Sequence, residues 1–254
     1  MWSSFKIAFS MYSKIPMPYT DWNKKSMKYA ICFFPMVGIV IGFIVWLWNL
    51  ISYKFGFGDI FRTSIFILIP VLITGGIHLD GFIDTMDAIN SYQPVERKLE
   101  ILKDSHIGAF ALISCIVYFI LDFGIWSEIK CDAVLILGIG FILSRALSGF
   151  SIVTFPCAKN SGLAASFSDA AQKNIVRATM SVYIIICAVC MISINWILGL
   201  VCLITALLVF IYYRFMSLKN FSGITGDLAG YFLQVCEISM ALSIVAAEKI
   251  LLLL

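Results

Sequence analysis

The chain has 254 residues, of which 61% are apolar and 13% charged, against roughly 45–50% and about 25% in a soluble domain. With a mean hydropathy of +0.97, this excludes a water-soluble single domain, a disordered chain, a nucleic-acid module and a disulfide scaffold. One core of this size cannot bury so much apolar surface, so lipid must cover the rest.

In chain order, residues 1–27 mix Trp2, Phe5, Phe9 and Tyr12 with Lys6 and Lys14, which suits a helix lying in the membrane interface. The two lysines and the lack of a small-residue cleavage site argue against a cleavable signal peptide. Seven apolar stretches follow, at about 28–51, 60–76, 107–126, 133–153, 178–194, 196–213 and 229–251. Each is close to the roughly 20 residues that cross a bilayer as a helix. Trp46 and Trp48 read as interface anchors. Only Asn195 separates the fifth and sixth stretches, which leaves a re-entrant hairpin open there. The expected fold is all-α: a polytopic integral membrane protein of about seven transmembrane helices with an N-terminal interfacial helix. It forms one transmembrane domain over 1–254, with polar loops at 77–106, 154–177 and 214–228. Most of the eight cysteines lie inside apolar runs. They read as small hydrophobes, including the Cys187–Cys190 C-x-x-C.

Basic residues set the orientation. With the N-terminus in the cytoplasm, Lys6, Lys14, Lys24, Lys25, Lys28, Arg97, Lys98, Lys103, Lys159, Lys173, Arg177, Arg214 and Lys219 lie inside. Lys54, Arg62, Lys130 and Lys249 lie outside. This asymmetry follows the positive-inside rule. It places the three polar loops, and any chemistry, on the cytoplasmic side of the cell (inner) membrane.

The first polar loop opens Gly75-Gly76-Ile77-His78-Leu79-Asp80-Gly81-Phe82-Ile83-Asp84-Thr85-Met86-Asp87. Asp80, Asp84 and Asp87 stand at i, i+4 and i+7, one face of a helix. Leu79, Phe82, Ile83 and Met86 fall away from it. At about 6 Å and an effective dielectric of about 20, each adjacent carboxylate pair costs roughly 2.8 kcal/mol, and the outer pair at about 10 Å roughly 1.7 kcal/mol. Protonation, a basic partner or a divalent cation relieves that repulsion. Oxygen ligands without thiols or clustered histidines favour magnesium, manganese or calcium over zinc. The plain alternative is a solvated acidic face. His78 either binds phosphate, orients an aspartate or is an ordinary interface histidine. Gly75, Gly76 and Gly81 permit close approach of backbone or ligand, or serve helix packing.

Further on, Glu96–Lys98 and Glu100 suggest a short amphipathic helix, followed by Lys103-Asp104-Ser105-His106. Asp104 or Ser105 either caps the third span, or Asp104 adds an oxygen ligand while Lys103 contacts phosphate. Before the seventh span, Gly223-Ile224-Thr225-Gly226-Asp227 offers Asp227 as a helix cap. Thr225, Gly226 and Asp227 together also suit an anion or metal–phosphate site. Arg145 and Glu237 lie within spans, at depths that allow them to pair. Asp122, near the outer end of the third span, is expected to reach the interface.

These segments resemble the cobalamin synthase (adenosylcobinamide-GDP ribazoletransferase) family. The residues that carry the likeness are the 75–87 stripe, Leu99-Glu100-Ile101-Leu102-Lys103-Asp104-Ser105-His106-Ile107-Gly108-Ala109-Phe110, the 223–227 motif, Phe9 with Lys14-Ile15-Pro16-Met17-Pro18, and Ser144-Arg145 with Phe155-Pro156. The likeness runs in order along nearly the whole chain. It departs at Asn90-Ser91-Tyr92 and at 157–162.

The resemblance implies a membrane enzyme that joins adenosylcobinamide-GDP to α-ribazole, or its 5′-phosphate, and releases GMP. It implies magnesium held by Asp80, Asp84, Asp87, Asp104 and Asp227. Asp84, Asp87 and Lys103 are then catalytic, with Asp87 the candidate base. His78, Lys103, Ser105, Arg145, Thr225 and Gly226 hold substrate. The substrates and the lipid bilayer are the expected partners, and the oligomeric state is left open. A CDP-alcohol phosphatidyltransferase would need a D-x₂-D-G-x₂-A-R order, which Asp84-Thr85-Met86-Asp87-Ala88 does not provide. A cation-coupled transporter would place its polar residues near the midplane, and a plain membrane anchor would not explain three facing aspartates.

Overall fold

The computed structural model describes residues 1–104, 106–158 and 162–253. Helices α1 (Trp2–Tyr12) and α2 (Lys24–Met27) and a 3₁₀ turn (Ala30–Phe33) lead into α3 (Phe34–Lys54). Then come α4 (Asp59–Thr74), α5 (Ile77–Asn90), α6 (Val95–Ile101), α7 (Ala109–Glu128) and α8 (Cys131–Thr154). The chain ends with α9 (Leu163–Ala170), α10 (Lys173–Ile194), α11 (Trp196–Phe221) and α12 (Gly226–Leu251). The protein is all-α. Among the described residues, six helices are long and apolar enough to cross a membrane, or seven if α4 and α5, bent by 95° at their junction, are counted together as one span.

The core runs along α8, where Ile136, Leu143 and Ala146 are fully buried. Small residues let α3 reach it: a Cβ on Gly138 would lie 3.4 Å from the Gly42 carbonyl oxygen, so the two backbones nearly touch. The outer faces are apolar at helical spacing. Leu112, Ile116 and Ile120 of α7, Val182, Ile186 and Val189 of α10, and Ile204, Leu208 and Ile211 of α11 are all exposed. That pattern suits lipid.

The doubtful crossing is not the one expected from sequence. Helices α10 and α11 have 22 and 26 residues, each enough to span. Asn195 serves as their junction, its side chain accepting the Ile197 and Leu198 amides at 3.1 Å each. The irregular crossing is α4, with 16 residues, about 24 Å at 1.5 Å per residue. It nevertheless runs from one end of the bundle to the other. It starts beside the end of α3, where the Trp48 indole donates to the Arg62 carbonyl at 3.0 Å. It finishes where the Lys14 amide donates to the Ile73 carbonyl at 2.7 Å.

The polar loops gather at that second end. The Gln172 amide reaches the Lys28 carbonyl (3.1 Å), and the Ile224 amide reaches that of Pro156 (2.9 Å). Lys98 donates to the Asn220 side chain at 3.0 Å. The opposite end is tied by the Lys249–Glu128 ion pair. Asp122 departs from expectation. It is 7% exposed and turns inward toward Trp126 and Glu237 around a small void.

Candidate active site

The site begins at a turn that only glycine makes easily. Gly75 and Gly76 have φ of 66° and 79°, left-handed values that cost a side chain energy. They swing α5 through 95° from α4, so that it lies across the end of the bundle. The apolar face of α5 packs inward, with the Phe82 ring 5.1 Å from that of Tyr118 and 5.9 Å from that of Tyr231. A Cβ on Gly81 would stand 2.6 Å from the Asp227 carbonyl oxygen, and one on Gly230 would stand 2.9 Å from that of His78. Backbone contact between α5 and the first turn of α12 thus brings Asp227 to the aspartate stripe.

Four like charges now share one neighbourhood. The Asp84 carboxyl is pushed up to about 7, first by burial, then by Asp80, Asp227 and Asp87. Burial leads, and the repulsion expected from the i, i+4, i+7 spacing adds to it, with Asp227 as a fourth member. Asp80 is exposed, while Asp84, Asp87 and Asp227 are half-buried. The Asp87 carboxylate lies so close over Gly108 that a Cβ there would collide with it. Gly108 is also the residue that precedes α7. Asp104 therefore does not cap that span, and Ser105 lies outside the described residues.

The cap of α12 differs from expectation as well. The Thr225 hydroxyl accepts the Leu228 amide at 3.2 Å and donates to Asp227 Oδ2 at 3.4 Å. With the cap supplied by Thr225, the Asp227 carboxylate sits in the first turn of the helix, where the dipole favours a negative charge.

Two cavities meet at Gly226, Asp227 and Ala164. One, about 190 Å³, is lined by Lys103, Thr225 and Leu102. The other, about 260 Å³, is lined by Tyr12, Phe34, His78, Asp80, Ser148 and Phe167. Helix α9 supplies Ala164 to both and Phe167 to the larger. From sequence, α9 falls inside the polar loop 154–177. Its only local signal is the short amphipathic run Leu163–Ala170.

Two expected members stand apart. Asp104 is exposed, and its Oδ1 accepts the His106 amide at 3.0 Å and contacts His106 Nδ1 at 2.7 Å. That contact holds its carboxyl below the usual range, and no aspartate contributes to the shift. Arg145 is 1% exposed. Its Nη1 pairs with Glu237 Oε1 at 2.7 Å and donates to the Phe141 carbonyl at 2.9 Å. Ser144 also donates to Glu237 at 2.7 Å. The pairing foreseen from depth is present, and neither cavity at Asp227 includes Arg145.

The donor set of the stripe is all oxygen. Among the described residues, no three His, Cys, Asp or Glu side chains converge closely enough to hold a metal ion by themselves. This set suits a cation that keeps several waters and takes one or two carboxylates plus substrate phosphates, which is how magnesium is usually bound.

The protein is thus an all-α membrane bundle with a crowded aspartate face at one end, where Asp227 joins two cavities. Sequence comparison makes this specific. The family model described as Cobalamin-5-phosphate synthase matches residues 4–245, and the chain belongs to that family. It is similar to an adenosylcobinamide-GDP ribazoletransferase of Lachnoclostridium phytofermentans, 49% identical over 98% of this chain and 95% of the relative. A protein of the same name from Clostridium botulinum is 31% identical over 94% and 95%. One from Geobacillus is 30% identical over 93% and 92%. No solved structure matches the chain.

Proposed function

We propose that this chain joins adenosylcobinamide-GDP to α-ribazole, or its 5′-phosphate, and releases GMP, a last stage of cobalamin assembly. The observation that carries the reading is the acidic face of Asp80, Asp84, Asp87 and Asp227, with Asp227 at the junction of two cavities and Asp80 in the wall of the larger. A hydroxyl of the ribazole ribose attacks the phosphorus on the cobinamide side of the pyrophosphate. A new P–O bond forms, the P–O bond to the GMP phosphate breaks, and GMP departs with that electron pair. Phosphoryl transfer asks the protein mainly for positioning and charge stabilisation.

Asp87, fixed against Gly108, takes the hydroxyl proton. Lys103 and Thr225, on the other side of Asp227, hold phosphate oxygens, aided by the amides at the start of α12. One or two of Asp80, Asp84 and Asp227, together with substrate phosphate oxygens, would hold magnesium, which when bound polarises the pyrophosphate and offsets the charge developing on GMP. The basic end of the bundle faces the cytoplasm by the positive-inside rule, so the site opens to that side of the inner membrane.

The direct test incubates membranes bearing the protein with adenosylcobinamide-GDP, α-ribazole 5′-phosphate and magnesium. GMP and a new corrinoid should appear together; folded protein that yields neither with any divalent ion rules the activity out. For topology, a reporter fused after Ser91 should read cytoplasmic, and a periplasmic reading reverses the orientation.

A further inference from the structure

The phosphoryl chemistry leaves most of the larger cavity unexplained. Its volume is about 260 Å³, just below the roughly 300 Å³ at which small-molecule pockets begin. Aromatic rings from three helices stand around it. The Tyr12 ring lies 4.1 Å from that of Phe34, 6.1 Å from that of Phe167 and 6.1 Å from the His78 imidazole. Ile152 and Leu233 add aliphatic wall. Two polar atoms in this lining are buried without a hydrogen-bond partner: His78 Nε2 and Ser148 Oγ. Their residues are only 5% and 1% exposed. A buried polar group left unmatched is costly. Two of them in one aromatic cavity mark a place built for a ligand.

We infer that this cavity receives the base of the ribazole acceptor, a reading that rests on the proposed transferase activity. That base is a flat fused bicycle with an apolar, methylated edge and one ring nitrogen free to accept a hydrogen bond. The rings of Tyr12, Phe34 and Phe167 match its faces and edge. Ser148 Oγ–H or His78 Nε2–H donates to the nitrogen. Guanine does not suit the same walls, because its edge carries a carbonyl, an amide N–H and an amine, all of which would need partners. The corrin ring is too large for this volume. Asp80 and Asp227 line the same cavity, so a ribose attached to the base stands beside the carboxylates. The Lys103–Thr225 cavity across Asp227 then takes the pyrophosphate. Donor and acceptor approach the acidic face from opposite sides.

The full-length protein in detergent is tested for binding of radiolabelled α-ribazole by equilibrium dialysis, with dimethylbenzimidazole as competitor, and for steady-state turnover. Ser148→Leu fills the cavity and removes a donor. It is expected to weaken α-ribazole binding and raise its KM by about tenfold or more, while the KM for adenosylcobinamide-GDP stays within about twofold. Phe167→Ala, on the short α9 at the cavity wall, should act with the same selectivity and serves where Ser148→Leu does not fold. Unchanged α-ribazole binding in both variants, or a rise confined to the corrinoid substrate, overturns the assignment. Failure of the activity reads differently: wild-type protein would release no GMP yet bind α-ribazole, with dimethylbenzimidazole competing and Ser148→Leu abolishing the binding.

Discussion

Two clusters of buried or half-buried charge in this protein follow opposite rules. In the interior of the bundle, Arg145 and Glu237 meet at 2.7 Å, with Ser144 donating to Glu237 and the Phe141 carbonyl accepting from Arg145. Each charge there has an opposite or a hydrogen bond, as low-dielectric surroundings demand. On α5, Asp80, Asp84, Asp87 and Asp227 crowd together with no basic side chain among the causes of the Asp84 shift. A fold tolerates a matched pair for its own sake. A cluster of one sign makes sense when something outside the chain supplies the opposite charge. The first region is balanced within the chain, and the second, under the proposed function, takes its opposite charge from a ligand.

Substitution should separate the two regions cleanly. Asp84→Asn is expected to cut turnover by about 10³-fold or more, roughly 4 kcal/mol at 1.36 kcal/mol per decade. The same variant should insert like wild type and melt at or slightly above its Tm at neutral pH, because a repulsive charge has been removed. Activity assays and melting curves on one preparation check both halves. A fully active Asp84→Asn would move the chemistry elsewhere. Glu237→Ala should do the reverse. It strands the Arg145 guanidinium in the core, a loss of about 3–5 kcal/mol, seen as low yield and a lowered Tm. Arg145→Met combined with Glu237→Leu should recover much of that stability. If Glu237→Ala melts normally but is inactive, the interior pair belongs to the chemistry after all.

The same contrast explains what the sequence reveals and what it conceals. The aspartate stripe is legible because i, i+4, i+7 spacing is a local property of one helix. The common end of the polar loops is legible because basic residues segregate along the chain. The Arg145–Glu237 pair is visible as two charges at similar depth in apolar runs. The rest depends on contacts between distant segments. Asp227 looks like a helix cap until Thr225 is seen to accept the Leu228 amide. Asp122 looks interfacial until α7 is packed and its carboxylate faces the interior. Ser148 and Phe34 are ordinary residues of apolar spans, and only tertiary packing places them around one cavity.

A smaller effect comes from the pH dependence of stability. The Asp84 carboxyl sits at about 7 in the folded chain against an ordinary 3.8. Between those values the folded state holds a proton that the unfolded state has released. Raising the pH through this window therefore favours unfolding. Without divalent ions, Tm should fall by a few degrees from about pH 5 to about pH 7 and level off above it. Asp84→Asn should flatten the curve. Under the proposed function, added magnesium should restore Tm at the alkaline end and leave the acid end unchanged. A wild-type slope of the opposite sign would show that burial and the neighbouring carboxylates do not keep Asp84 protonated in the folded chain.

The smallest expected effect is at Asp104, which lies in the same motif as Lys103 but in a different environment. Its Oδ1 is engaged by the His106 amide and faces the His106 ring, and it does not contribute to the Asp84 shift. In the structure its side chain makes the contacts of a turn residue in an exposed loop, and such contacts are worth little. Asp104→Asn keeps an acceptor for the His106 amide and should change kcat and both KM values by less than about twofold. Lys103→Ala, one residue away but lining the cavity at Asp227, should raise the KM for adenosylcobinamide-GDP by about tenfold. If Asp104→Asn proves as inactive as Asp84→Asn, the 102–108 loop must close onto α5 during turnover, and the acidic cluster would have a fifth member that assembles only with substrate bound.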